Sequence, residues 1–105
     1  MNITFNDIAL EELYTKGSTK VRKYKKLPVE IVKQYVKTVN YIKAATCVED
    51  LFAIKSLHYE KKSGDLNGVE VVWINTQYRL HFQSSSDGTG IIVNALIIEI
   101  SKHYE

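Results

Sequence analysis

Residues Val69 to Gln83, VEVVWINTQYRLHFQ, hold two apolar runs either side of Asn75-Thr76-Gln77. Their enrichment in β-branched and aromatic residues predicts two antiparallel strands joined by that turn. In the second run the alternation is strict. Successive side chains of a strand point to opposite faces, so Tyr78, Leu80 and Phe82 are assigned to a core and Arg79, His81 and Gln83 to the other side. A third run, Ile91 to Ile100, follows the polar hairpin loop Ser84 to Gly90. It is apolar on both faces except at Asn94 and Glu99, which predicts the most enclosed strand of the sheet. Just before the turn, Val69, Val71 and Trp73 are read as anchors to the core.

Towards the N-terminus the period changes. Met1, Ile3 and Phe5 alternate with polar residues as in a half-buried strand. Asn6 or Asp7 then caps a short helix with Leu10, Leu13 and Tyr14 on one side, ending at Gly17. Pro28 suits the first turn of a longer helix, where its missing N–H has no partner to lose. Val32, Tyr35, Val36, Val39, Ile42 and Ala45 recur at steps of three and four, with Glu30, Lys33, Lys37 and Tyr41 opposite. Thr46-Cys47-Val48-Glu49 has capping-box spacing and opens a third helix reaching to about Ala53. A strand, then helices, then a run of strands predicts an α+β fold. The expected architecture is an N-terminal strand and two to three helices packed on a mainly antiparallel, curved sheet of four to five strands.

With 105 residues, the chain has the length of one domain spanning 1–105. Hydrophobic residues make up 45% and charged residues 25%, the balance of a folded protein and not of a disordered tail. Neither a secretory signal nor a membrane-length apolar run is seen, which predicts a cytoplasmic protein without a membrane partner. Cys47 is the single cysteine, so an intrachain disulfide and a cysteine-built metal site are excluded. No glycine-rich phosphate loop, nucleophile elbow or His-Glu-x-x-His spacing occurs, and neither cofactor nor metal is called for.

The net charge of +2 says little about partners, but its distribution says more. Lys16, Lys20, Arg22, Lys23, Lys25 and Lys26 fall within eleven residues that contain no acid. Two readings stand side by side, a solvated loop or a surface for phosphates or an acidic partner. On the Arg79 face, a guanidinium on a rigid strand suits phosphate oxygens, against the alternative of a surface ion pair, for example with Glu70. His58 and Lys61 enter the loop before the hairpin, where an imidazole can exchange a proton near neutral pH and an amine can offer charge or act as a base. His103 and Tyr104 follow the last strand.

These segments together resemble the HigB branch of the RelE/ParE superfamily, the toxin halves of type II toxin–antitoxin pairs. The likeness rests on Leu10 to Thr19, on Ala44-Ala45-Thr46 leading to Glu49-Asp50-Leu51, and on Leu57-His58 with Lys61. It rests also on Gln77 to Phe82, an aromatic residue, arginine, apolar residue, any residue and phenylalanine. The resemblance implies a ribosome-dependent endoribonuclease that cuts mRNA through the RNA's own 2′-hydroxyl and is masked by a cognate antitoxin, expected to be a helix-turn-helix protein. Arg79 is then the phosphate-stabilising group, with Lys61 in charge stabilisation or base work and His58 in proton transfer or positioning. Lys20, Arg22, Lys23, Lys25, Lys26, Lys62 and His81 are expected to contact mRNA or ribosomal RNA.

Two departures from the family pattern stand out. Lys62 to Asn67 is longer than the family turn, which leaves open whether Lys61 or Lys62 enters the site. The family's terminal Asp-Tyr-His reads here as Lys102-His103-Tyr104, so His103 becomes the candidate general acid and Tyr104 a stacking or hydrogen-bonding group. A ParE-like toxin that binds DNA gyrase, and a small binding module without activity, remain as alternatives because one fold serves several functions.

Overall fold

The computed structural model describes residues 1–62 and 68–102. Along these, β1 (Asn2–Phe5) leads to α1 (Ile8–Lys16), α2 (Val29–Ala44), α3 (Val48–Phe52) and a 3₁₀ turn at Lys55–Leu57. The strands β2 (Glu60–Lys61), β3 (Glu70–Trp73), β4 (Tyr78–Ser86) and β5 (Ile92–Lys102) follow. They form a five-stranded sheet in the order β1-β5-β4-β3-β2. β1 runs parallel to β5, and the other pairings are antiparallel. The α+β architecture expected from the sequence is the one observed.

The helix ends follow local chemistry. Asp7, not Asn6, caps α1, its carboxylate accepting from the Leu10 N–H at 3.0 Å. Gly17 closes the helix at φ 78, a left-handed conformation that only glycine adopts without cost, and donates to the Leu13 carbonyl. Pro28 sits one position earlier than expected, as the N-cap of α2, where its carbonyl accepts from Ile31 and Val32. The capping box at α3 is also displaced. Thr46 N and Oγ1 both donate to Asp50 Oδ2, at 2.9 and 3.0 Å, so Asp50 takes the place expected of Glu49. Those two hydrogen bonds hold the Asp50 carboxyl below its ordinary pKa.

One face of the sheet buries the core. Val72, Leu80, Phe82, Ala95 and Ile97 are fully enclosed and share a cluster with Leu10, Leu13, Tyr35, Val39 and Ile42. Tyr35 spends its hydroxyl on the Leu10 carbonyl at 2.9 Å, which joins α2 to α1. Tyr41, expected on the solvent side of α2, is half-buried and packs against the core. β5 is paired along both edges but is less enclosed than its composition predicts. Ile91, which precedes the strand, and Val93, which falls at a register shift against β4 between the Ser86–Ile92 and Ser85–Asn94 pairs, remain 52% and 43% exposed. β4 in turn runs three residues into the expected loop, to Ser86.

Glu70 explains that extension. It is only 2% exposed and accepts from Tyr59 Oη at 2.7 Å, from Ser84 N at 2.6 Å and from Ser84 Oγ at 2.8 Å. It is therefore not the partner of Arg79. Burial together with this carboxylate pushes the Tyr59 hydroxyl far above its ordinary pKa. Replacing Glu70 strands several donors at once, and a buried donor without a partner costs about 1–3 kcal/mol. Glu70→Ala is expected to lose about 3 kcal/mol of stability, read as a lower urea midpoint at unchanged slope.

Candidate functional site

The sheet face turned away from the core carries a cleft of about 510 Å³. The pairing that buries Val72 and Leu80 sets Trp73 opposite Arg79 and Val71 opposite His81 on the other side. Beyond them β5 brings Ser101 beside Arg79. Lys102, His58, Glu60 and Lys62 complete the walls. Val71 and Trp73 thus belong to the cleft and not to the core cluster, contrary to their expected role as anchors. Val72, between them, is the anchor.

Trp73 organises this cleft. The His58 ring stacks on the indole with centroids 3.7 Å apart and planes 23° apart. The Arg79 guanidinium lies 4.1 Å from the same ring centroid, an arrangement in which the aromatic quadrupole attracts the cation. Arg79 Nη1 also donates to the carbonyls of Asn75, Thr76 and Tyr78 at 2.9, 3.1 and 3.3 Å, which ties the side chain to the β3–β4 turn. Further N–H donors of the fork lie on Nη2 and Nε. His58 has φ 47, a left-handed conformation uncommon outside glycine, and its backbone N–H caps the 3₁₀ turn through the Lys55 carbonyl at 3.1 Å. That conformation ends the turn where its ring meets Trp73.

Of the two lysines left open by the sequence, Lys62 lines the cleft. Its Nζ lies 3.2 Å from Glu60. Lys61 is the register partner of Glu70 and lines a different pocket with Phe52 and Tyr59, on the helix side. Strand alternation separates these neighbours. His81 Nε2 is 2.8 Å from Ser101 Oγ. Burial holds the imidazole below its ordinary pKa, Glu99 opposes this, and the Lys62 charge adds to it. His103 and Tyr104 lie outside the described residues.

The basic segment borders the cleft at one end. Tyr24 is buried and its hydroxyl accepts from the Ile100 N–H at 3.1 Å, which pins the segment to the edge of β5 beyond β1. Lys20, Arg22, Lys23, Lys25 and Lys26 around it are all exposed. Lys23 reaches Glu99 at 3.6 Å. Lys23 and Lys26 line a groove with Tyr78 and Lys102, and Lys102 is shared with the main cleft. Lys20, Arg22 and Lys25 line neither. Among the described residues no group of three or more histidine, cysteine, aspartate or glutamate side chains is placed to hold a metal ion.

Trp73, read from the sequence as a core anchor, was not expected in the site, and neither were Glu60, Ser101 and Lys102. The signal for Trp73 was available, since it has the same parity on β3 that Arg79 has on β4. Ser101 and Lys102 became visible only with the β4–β5 register.

No family model and no curated protein sequence matches the chain. Solved structures do. A YoeB/ParE toxin from Agrobacterium tumefaciens superposes with a TM-score of 0.60 at 14% identity, over 99% of this chain and 100% of that one. A YoeB-YefM complex from Staphylococcus aureus gives 0.57 at 19% identity, over 99% and 98%. The chain has the fold of these toxins. At such identities the likeness establishes architecture, and function rests on the side chains of the site.

Because Trp73 is the single tryptophan, its emission reports on the cleft. Titrating a short RNA whose 2′-hydroxyls are replaced by hydrogen is expected to change that emission. Lys62→Ala should weaken binding several-fold, on the order of 1 kcal/mol, whereas Lys61→Ala should leave it unaltered. Equal effects of the two substitutions would contradict the assigned faces.

Proposed function

We propose that this protein is the toxin of a type II toxin–antitoxin pair, of the HigB kind, and acts as a ribosome-dependent mRNA endoribonuclease. The observation that carries this reading is the convergence of Arg79, His58 and Lys62 around Trp73 in one cationic cleft. The shared toxin fold supports it. In the proposed reaction the 2′-hydroxyl attacks the adjacent phosphorus, so the protein has to position the strand, move protons and stabilise negative charge on the phosphoryl oxygens. Arg79 and Lys62 supply that charge. His58 serves in proton transfer or positioning, and His103 and Tyr104, which supply the family's terminal imidazole and aromatic groups in exchanged order, are the proposed general acid and the stacking or hydrogen-bonding group.

Lys20, Arg22, Lys23, Lys25 and Lys26 suit contact with ribosomal RNA, because their cationic side chains are exposed and two of them, Lys23 and Lys26, line a groove that shares Lys102 with the cleft. A partner antitoxin, of the helix-turn-helix kind, would cover this face. The Staphylococcus aureus neighbour was itself solved as a complex of YoeB with YefM. No helix among the described residues is long and apolar enough to cross a membrane, and a cytoplasmic location accords with a ribosomal target. The alternative of a ParE-like gyrase-binding toxin does not account for imidazoles gathered beside a guanidinium.

Mapping mRNA 5′ ends in a translation extract tests the reading. The wild-type protein is expected to produce new ends on translated mRNA, and Arg79→Ala to reduce their rate of appearance by about 10²–10³-fold without loss of fold. Intact mRNA together with trapped gyrase–DNA cleavage complexes would establish the alternative.

A further inference from the structure

His81 occupies the position that the family pattern leaves to any residue, yet the fold sets its ring in the cleft with Arg79 and within 2.8 Å of Ser101 Oγ. Ser101 is the register partner of Arg79 on β5. Directly opposed side chains on one sheet face have Cβ atoms about 4.5–5.5 Å apart, so Ser101 and Arg79 enter the cleft from neighbouring positions, with the guanidinium extended over Trp73 on one side and the Ser101 hydroxyl turned to His81 on the other. In RNA the 2′-hydroxyl adjoins that phosphate on the same ribose. A general base has to lie within hydrogen-bond reach of the proton it takes, directly or through one intervening hydroxyl.

We propose that Ser101 and His81 form the proton-accepting pair of the cleft, with Ser101 Oγ receiving the 2′-hydroxyl proton while its own proton passes to His81 Nε2. This rests on the ribonuclease reading. The 2′-oxygen forms a bond to phosphorus, and the bond from phosphorus to the 5′-oxygen breaks with its electron pair on that oxygen. The leaving oxygen takes a proton from an acid, His103 in the ribonuclease reading or solvent water, and the proton held by His81 returns through solvent to restore that acid. The products are a 2′,3′-cyclic phosphate and a 5′-hydroxyl.

The surroundings of His81 favour a neutral imidazole that is ready to accept. Lys62 and Glu60 face it from the β2 side, His58 from the end of the 3₁₀ turn, Arg79 from its own strand, and Glu99 and Lys102 from β5. Glu99 favours the protonated ring but is itself drawn to Lys23 at 3.6 Å, while partial burial and Lys62 oppose protonation. The ring therefore stays unprotonated at neutral pH and loses its function as pH falls through a value below the ordinary histidine pKa of about 6.5.

The test is single-turnover cleavage of mRNA on programmed ribosomes across pH 5 to 8. Wild-type cleavage is expected to decline on the acid side. His81→Gln should be slower by about 10²-fold or more, in line with the loss of a general base, and should lose that acid limb. Ser101→Ala should fall in parallel, and Ser101→Thr, which restores a hydroxyl, should recover most of the rate. Binding of the 2′-deoxy RNA, followed by Trp73 emission, should fall far less in His81→Gln than the cleavage rate does, which separates proton transfer from substrate placement. Cleavage by His81→Gln within threefold of wild type, with the acid limb retained, would overturn the pair while leaving the ribonuclease reading intact. Absence of cleavage by the wild-type protein would overturn the ribonuclease reading itself.

Discussion

The antiparallel register that sets Val72 against Leu80 and Trp73 against Arg79 governs both sides of the molecule. A strand has a period of two, so every residue committed to the core commits its neighbours to the opposite face. Val72, Leu80 and Phe82 are wholly enclosed beneath the helices, and this leaves Trp73, Arg79 and His81 on the far side. A slip of one residue would bury a guanidinium and an imidazole and expose Leu80 and Phe82. Apolar burial at roughly 25 cal/mol per Å², most of it on the opposite face of the sheet, thus holds the cationic cleft in place.

Within the cleft, indole contacts and turn carbonyls restrict groups that would otherwise sample many rotamers. Arg79 is long and flexible, and an exposed arginine forfeits side-chain entropy when it binds a phosphate. Here the indole and the three carbonyls of the β3–β4 turn have already taken up much of that freedom. His58 is restrained by a left-handed backbone and by the opposing ring. The net charge of +2 understates the field at this surface, because Lys62, Arg79 and Lys102 stand together and Lys23 and Lys26 extend the same border. Glu60 and Glu99 lie on the same surface, paired with Lys62 and Lys23.

The fold is shared with toxins at 14% and 19% identity, which reflects how few positions its core constrains. Cores accept many apolar combinations as long as volume and pattern persist. Sites do not. The His81–Ser101 contact and the Lys62–Glu60 pair are local features of this chain, and any account of its chemistry depends on them more than on the shared architecture.

Much of the architecture was legible from periodicity alone: the N-terminal strand, the helix ending at Gly17, the helix opened by Pro28, and the inward and outward parity of Tyr78 to Gln83. These are local signals, carried by a spacing of two or of three and four and by end residues whose backbone preferences are intrinsic. The cleft was legible in part. Arg79 and His81 followed from alternation and His58 from its place ahead of the hairpin, but the choice of Lys62 over Lys61 required knowing that Glu60 pairs with Val71. Partners distant in sequence, such as Tyr24 with Ile100, Ser101 with Arg79 and Glu70 with Ser84, were fixed only by tertiary structure. The physical reason is that the order of strands in a sheet and the register between them are set by the best burial of the whole apolar surface, and a linear pattern records which face a residue prefers without recording which residue it will meet there.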